Sequence, residues 1–384
     1  MQKPLITVVT SYYNDQDFLT DAISSVLNQT YTNFEYILVN HASTDKSREI
    51  AHSFNDFRIK HIDLPINYGG SGNILIQKAL EIAKGKYLKM LCADDVLLPN
   101  GLEILLKNAQ DKNVDLLFGN VAFMDKNKKL LGKTWFKHRY PAHLPTEEYL
   151  NHFICGTSEF PYAGNFIKTD ALKKISMDYV SIQLADVGLW VAMLFNGAKL
   201  DFTDNIVANY RIHPGQISSA SKLQIIGMRC LFEHFLYYEN YLNAKAPVSM
   251  CQKIFPADKY LTELTEDDKD ILPFAFTHAL YKATKISTCI LACRLKLAKI
   301  LNNDKLRHKI EKRFGYTIKN LREDVIHDPI YLSRISPKDI YGNLLVFKNA
   351  SLKTLAYFFF RKLWFVITLK EWRHKRRVTK NGIV

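Results

Sequence analysis

Gly85-Lys-Tyr-Leu-Lys-Met-Leu-Cys-Ala-Asp-Asp95 is an apolar run that stops abruptly at two adjacent carboxylates. A glycine ends the preceding helical pattern, and residues 87–91 have the apolar and aromatic character of a buried strand. Asp94 and Asp95 then stand side by side at the strand's end. Their repulsion is costly unless a cation or hydrogen bonds offset it. Hard divalent cations such as Mg²⁺ or Mn²⁺ prefer such oxygen ligands. A solvated turn that caps a helix starting near Pro99 is the plainer reading of the pair alone.

Working outward, residues 5–9, 34–39 and 60–64 are further short strand-like runs. Between the first two, Phe18, Leu19, Ala22, Ile23, Val26 and Leu27 repeat with helical spacing, and Asp15 or Asp17 is placed to cap that helix. Asn67-Tyr-Gly-Gly-Ser-Gly-Asn is a glycine-rich turn leading into a helix through Ala83. Strands alternating with helices in this way predict an α/β fold: a mostly parallel sheet flanked by helices on both faces. Ligands bind such sheets beyond the carboxyl ends of the strands. Residues 10–14, residues 40–45 and the Asp94–Asp95 pair all follow strand ends, so they are expected to share one rim.

With 384 residues, 47% of them hydrophobic and 23% charged, the chain suits a globular catalytic-size domain of roughly 200 residues and a smaller partner. Past residue 220 the texture becomes helical and glycine sparse. Residues 224–241 and 274–301 have helical patterns, placing a boundary near Ser221, with domains 1–220 and 221–384. The formal charge of +14 is concentrated at the end: residues 350–384 hold nine Lys or Arg and one acid, Glu371. From Leu352 to Ile367 the apolar residues form a helical stripe. Trp364, Trp372 and Arg373-His-Lys-Arg-Arg377 follow, a pattern suited to lying on an anionic membrane surface over about 350–380. No nucleic-acid module accompanies the charge, so nucleic acid is not an expected partner. The six cysteines lack paired spacing, fitting free thiols in a reducing compartment. Neither a leader peptide nor an uncharged span of bilayer length is evident, so a cytoplasmic protein, peripheral on the inner face of the cell membrane, is expected.

The order of these elements closely resembles the family 2 glycosyltransferases with the GT-A fold. It runs from Ser11-Tyr-Tyr-Asn14 through Gln29-Thr-Tyr-Thr-Asn-Phe-Glu35, Asn40-His-Ala-Ser-Thr-Asp45 and the glycine-rich turn to Cys92-Ala-Asp-Asp95. The resemblance spans about residues 4–220. It implies that Ser11, Tyr13 and Asn14 hold the base and ribose of a nucleotide-sugar, with Asn40 and His41 beside them where the family usually has acids. Asp94 corresponds to the residue near the ribose and Asp95 to the metal ligand, while Cys92 replaces the first acid of the family's DxDD pattern.

Leu184-Ala-Asp-Val-Gly-Leu-Trp190 resembles the family's Glu-Asp-x-x-Leu-Trp element, with Asp186 as general base and Ala185 in place of the Glu. Tyr210-Arg-Ile-His213 resembles the segment that closes the catalytic domain. It implies that Arg211 neutralises a leaving phosphate and His213 touches the metal or the diphosphate. Tyr162 and the residues to 165 are placed to line the acceptor pocket. The implied activity is inverting, Mn²⁺- or Mg²⁺-assisted transfer of a sugar, UDP-hexose or UDP-N-acetylhexosamine being the expected donor. The expected acceptor is a hydroxyl of a bacterial surface glycan such as lipopolysaccharide, lipooligosaccharide or capsule, free or lipid-linked. A homo-oligomer is compatible with it. Two competitors remain at this level. A nucleotidyltransferase would carry a glycine-rich basic loop after the first strand, where this chain has Thr10-Ser-Tyr-Tyr-Asn-Asp. An inactive scaffold would explain His41, Cys92 and Ala185.

Overall fold

The computed structural model describes residues 4–69, 72–136, 144–155, 160–177, 181–182, 184–216, 233, 246–284 and 287–326. In chain order the elements that matter to the site are β1 (Ile6–Tyr12), α1 (Leu19–Leu27), β2 (Phe34–Asn40), α2 (Ser47–Ser53), β3 (Ile59–Asp63), α3 (Gly72–Ile82), β4 (Tyr87–Cys92) and β5 (Val96–Leu97). They continue with α4 (Gly101–Asp111), β6 (Leu116–Asp125), β7 (Leu130–Thr134), α5 (Thr146–Cys155), the 3-10 turn Tyr162–Gly164, β8 (Asn165–Lys168), α6 (Thr169–Leu172), α7 (Ala185–Phe195) and β9 (Leu200–Ile212).

One sheet carries them in the order β3-β2-β1-β4-β8-β6-β9-β5, with β7 on β6. The first four strands are parallel, joined through helices as their alternation requires. Every residue of β2 is buried, as befits a strand covered on both faces. Beyond β4 the sheet becomes mixed. β8 runs antiparallel to both β4 and β6, β6 is parallel to β9, and β5 lies antiparallel on β9.

Helix α1 buries Leu19, Ala22, Ile23 and Val26, the stripe its spacing predicts. Its start differs from expectation. The N-cap is Phe18 without a side-chain cap, because Asp15 uses Oδ2 to accept the Tyr13 N–H at 2.9 Å and only its carbonyl reaches Leu19. At the helix's other end the buried Gln29 amide donates to the carbonyls of Ser25 and Leu98 and accepts the Leu102 N–H. One side chain thus ties α1 to the β5–α4 corner.

The chain divides into two compact units, Met1–Ile318 and Lys319–Val384. Within the first, the helices Val248–Ile254, Leu272–Ala283, Ser287–Leu301 and Asp304–Phe314 follow the sheet domain. The helix expected over 274–301 is therefore two, the first ending where Thr284 turns extended. Of the second unit, residues 319–326 are described and helical. The proposed boundary at Ser221, the helix expected at 224–241 and the basic segment at 350–380 lie outside the described residues. Among the described residues no helix is long and apolar enough to cross a membrane.

Where β6 meets the 3-10 turn, Gly164 approaches the backbone so closely that a Cβ would stand 2.1 Å from the Gly119 carbonyl oxygen. Backbone cannot swing away as a side chain can. Gly164→Ala is expected to cost about 1–3 kcal/mol of stability, as overpacking does, read as a lower urea midpoint. An unchanged midpoint would show that this contact has slack.

Candidate active site

Strand register sets the rim. Ser11 pairs with Cys92 and Tyr12 with Asn40 across parallel ladders, so the loops after β1, β2 and β4 leave the sheet at one level. The first two loops are stitched together. Asn14, at a left-handed φ of 56° that asparagine tolerates, accepts the Thr44 N–H at 2.8 Å through Oδ1 and donates to Thr44 Oγ1. Asp15 N–H donates to Ser47 Oγ, and Gln16 N–H to Asp45 Oδ2.

Asn40 and His41 lie at the base of this stitching and are nearly fully buried. The Asn40 amide donates to Asp63 Oδ1 at 2.9 Å and accepts the Ser43 N–H. His41 Nε2 accepts the Tyr68 N–H at 2.7 Å, which leaves the proton of a neutral ring on Nδ1. Burial lowers the pKa of His41, favouring that neutral form. Its ring lies parallel to that of Tyr68 at 5.9 Å and edge-on to Tyr13 at 6.2 Å. Tyr13 and Tyr68 are 44% and 42% exposed, so these two aromatics, not the groups beneath them, face outward.

The Asp94–Asp95 turn is held from below by Arg211. Its backbone N–H donates to Asp95 Oδ1 at 2.9 Å, and its guanidinium donates to the carbonyls of Asp94 and Lys126 and to Asp21 Oδ2. Phe18 lies against the same group, 4.8 Å away. Arg211 is fully buried, and its guanidinium donors are directed at acceptors of the protein. His213 meets Asp94: Nε2 is 3.0 Å from Asp94 Oδ2, with the ring 4.5 Å from Phe18.

Asp95 is 1% exposed, and its Oδ2 has no hydrogen-bond partner among the described residues. Burial, then the neighbouring Asp94, pushes its carboxyl well above the usual range. Ligand atoms of Cys92, Asp94 and Asp95 all lie within 4.8 Å of one another. A buried, unpartnered carboxylate oxygen in such a cluster fits a divalent cation.

Beneath them Lys89 is fully buried in β4. Its Nζ donates to the carbonyls of Met90 at 2.9 Å and Ala163 at 2.6 Å, and burial lowers its pKa to about 7 against the pull of Asp95 and Cys92. The bond to Ala163 fixes the turn bearing Tyr162, whose hydroxyl lies 3.4 Å from Met90 Sδ. Burial raises the Tyr162 pKa well above 10, with the charges of Cys92, Asp186 and Asp95 adding to the effect. The Tyr162 phenol thus stands in the fields of Cys92, Asp186 and Asp95. Asp186 itself lies in the first turn of α7, half-buried, accepting the Val187 N–H. Asn73 of α3 donates to the Ala185 carbonyl beside it. Burial pushes the Asp186 carboxyl up to about 6, with Glu233 adding to the rise. Glu233 also accepts the Leu184 N–H at 2.8 Å, just before the helix begins.

Comparison with known proteins shows the family. The family model described as glycosyl transferase family 2 matches residues 7–173. An uncharacterised glycosyltransferase of Methanocaldococcus jannaschii is 30% identical over 250 residues, covering 63% of this chain and 83% of that protein. The chain belongs to glycosyltransferase family 2. WfaP of Escherichia coli, named as a UDP-Glc:α-D-GlcNAc-diphosphoundecaprenol β-1,3-glucosyltransferase, is 27% identical over 224 residues, 58% of this chain and 83% of its own. Residues 1–349 of Staphylococcus aureus TarS, in complex with UDP-GlcNAc, share the fold at a TM-score of 0.54 and 17% identity, covering 80% of this chain and 91% of that one.

For a member of this family, sequence reasoning named the strand-end acids but missed several groups that shape them. Asp15 is one: its carboxyl is raised to about 6 by burial, and the charges of Asp94 and Asp45 push the same way. Lys89 is another, detectable as a lone cation in an otherwise apolar strand. Asp21 and Glu233 carried no local signal, since each acts on a residue far along the chain.

Asp186 supplies a test of site burial. Its folded pKa of about 6 exceeds the unfolded carboxylate value of about 4, so the folded state holds more protons in between. Stability contributed by that proton is present below pH 4 and is lost as pH rises through 6. Asp186→Asn, which carries no charge, should therefore exceed the parent at pH 8 by about 1–2 kcal/mol and match it at pH 4 in denaturant titrations. Equal stability at both pH values would show that the carboxylate is well hydrated.

Proposed function

We propose that the protein transfers a sugar with inversion from a UDP-hexose or UDP-N-acetylhexosamine to a hydroxyl of a bacterial surface glycan. The observation that carries this reading is Asp95's buried oxygen, without a partner among the described residues, within the cluster of Cys92, Asp94 and Asp95 at the end of β4. Tyr13 and Tyr68 would stack on the base, while Ser11 and Asp94 line the path from ribose to diphosphate. Asp95 and Asp94, with His213 orienting the latter, would hold Mn²⁺ or Mg²⁺, whose Lewis acidity serves the departing diphosphate.

In the transfer itself, Asp186 accepts the acceptor's O–H proton as that oxygen bonds to the anomeric carbon. The bond from that carbon to the phosphate oxygen breaks, and the nucleoside diphosphate leaves. Tyr162, on the turn fixed by Lys89, would help set the distance between donor and acceptor. A lipid-linked acceptor, of the kind in the E. coli relative's name, suits the basic sequence from residue 350 onward and a peripheral location on the inner leaflet.

A panel of nucleotide-sugars tested with and without Mn²⁺ should give slow, metal-dependent donor hydrolysis, abolished by Asp95→Ala. Asp186→Asn should lower transfer by about 10²–10⁴-fold, the usual worth of a general base. In the parent, kcat/KM should fall about tenfold per pH unit below about 6 as Asp186 protonates. Nucleotide binding without any turnover would favour the scaffold reading instead.

A further inference from the structure

The cluster at the end of β4 contains a ligand of different chemistry from the two carboxylates. We propose that Cys92 is a sulfur ligand to the divalent cation held by Asp95, so that this chain's site takes borderline ions such as Co²⁺ and Zn²⁺ in preference to Mg²⁺. The inference rests on the cation site of the proposed function and specifies its selectivity.

Three observations carry it. Cys92 Sγ and one carboxylate oxygen from each of Asp94 and Asp95 all lie within 4.8 Å of one another. Metal–sulfur bonds near 2.3 Å and metal–oxygen bonds near 2.0–2.2 Å place ligands of one ion within about 4.5 Å of each other, so small side-chain rotations suffice. Next, Asp95 Oδ2 is buried without a partner among the described residues, a group already desolvated for a cation. Finally, Cys92 is a free thiol whose backbone is fixed as the last residue of β4, in ladder register with Ser11.

The flanking groups organise the two acids. Arg211 N–H occupies Asp95 Oδ1 and His213 occupies Asp94 Oδ2, as outer partners of metal-binding carboxylates do. Thiolate sulfur is a soft donor, poor for Mg²⁺ and good for later first-row ions. Coordination exchanges the S–H proton, released to buffer, for the cation.

Co²⁺ reports this directly, because a sulfur–Co²⁺ bond gives a near-ultraviolet charge-transfer band that oxygen ligands do not. Full-length protein titrated with Co²⁺ alone, with bound metal measured by equilibrium dialysis, should show the band growing with occupancy. Cys92→Ser should lose the band and bind Co²⁺ roughly tenfold or more weakly. Cys92→Asp, which supplies oxygen in place of sulfur, should lack the band yet bind Mg²⁺ more tightly, and it decides the matter should the serine variant fail to fold. Co²⁺ bound without the band, or a band that persists without Cys92, overturns the sulfur ligand while leaving the proposed transfer standing. No Co²⁺ bound at all overturns the sulfur ligand, and absent donor hydrolysis in the parent separately overturns the transfer.

Discussion

Everything at this rim depends on the buried arginine under the Asp94–Asp95 turn. Two neighbouring carboxylates repel each other, and desolvation makes ionising the buried one costlier still. Arg211 answers both problems from one position. Its main chain bonds one oxygen of Asp95, and its side chain bonds the Asp94 carbonyl, so the turn's direction is fixed as well as its charge. The same guanidinium reaches Asp21 at the start of α1 and the Lys126 carbonyl between β6 and β7. A single cation thus joins segments drawn from α1, the β4 turn, the β6–β7 hairpin and β9. Its full burial is tolerable because its donors find acceptors there.

Lys89 performs a complementary task from within β4. Two carbonyls hold its ammonium, and its field falls on Asp95 and Cys92. Because one of those carbonyls belongs to Ala163, the cation that moderates the acids also anchors the turn displaying Tyr162. The acid cluster and the Tyr162 turn are therefore set by one side chain. A shift in β4 would be felt in both places, which is what a site needs when two reactants must meet within a fraction of an ångström.

The sequence made the parallel half of the sheet legible because each of its strands is a short apolar run bounded by polar turns. The shared rim was legible for the same reason, since strand ends in such a sheet must align. Direction within the rim was not. Arg211 and Asn40 are named by their place in a motif, yet whether a side chain turns outward depends on partners remote in sequence. Asp21 lies 190 residues from Arg211, and no local pattern announces their pairing at 3.0 Å. His41 shows the same limit. An imidazole at a strand end reads as a ligand contact until the Tyr68 N–H, brought back by the glycine-rich turn, is found on its Nε2.

These partners divide each acid between two duties. Asp95 gives Oδ1 to the framework and keeps Oδ2 without a partner among the described residues; Asp94 gives Oδ2 to His213, and Asp15 gives Oδ2 to the Tyr13 N–H. One oxygen bonded to protein fixes the orientation of the carboxylate plane before anything binds. The cost appears as raised pKa values at Asp15, Asp95 and Asp186, stability the fold forgoes in order to keep charge poorly hydrated. Dipoles and charges fixed in this way need little rearrangement as a reaction proceeds, and in a dry site they act at greater strength than in water. The site's instability and its capacity for chemistry therefore have one cause: carboxylates held in place by the protein and incompletely compensated by it.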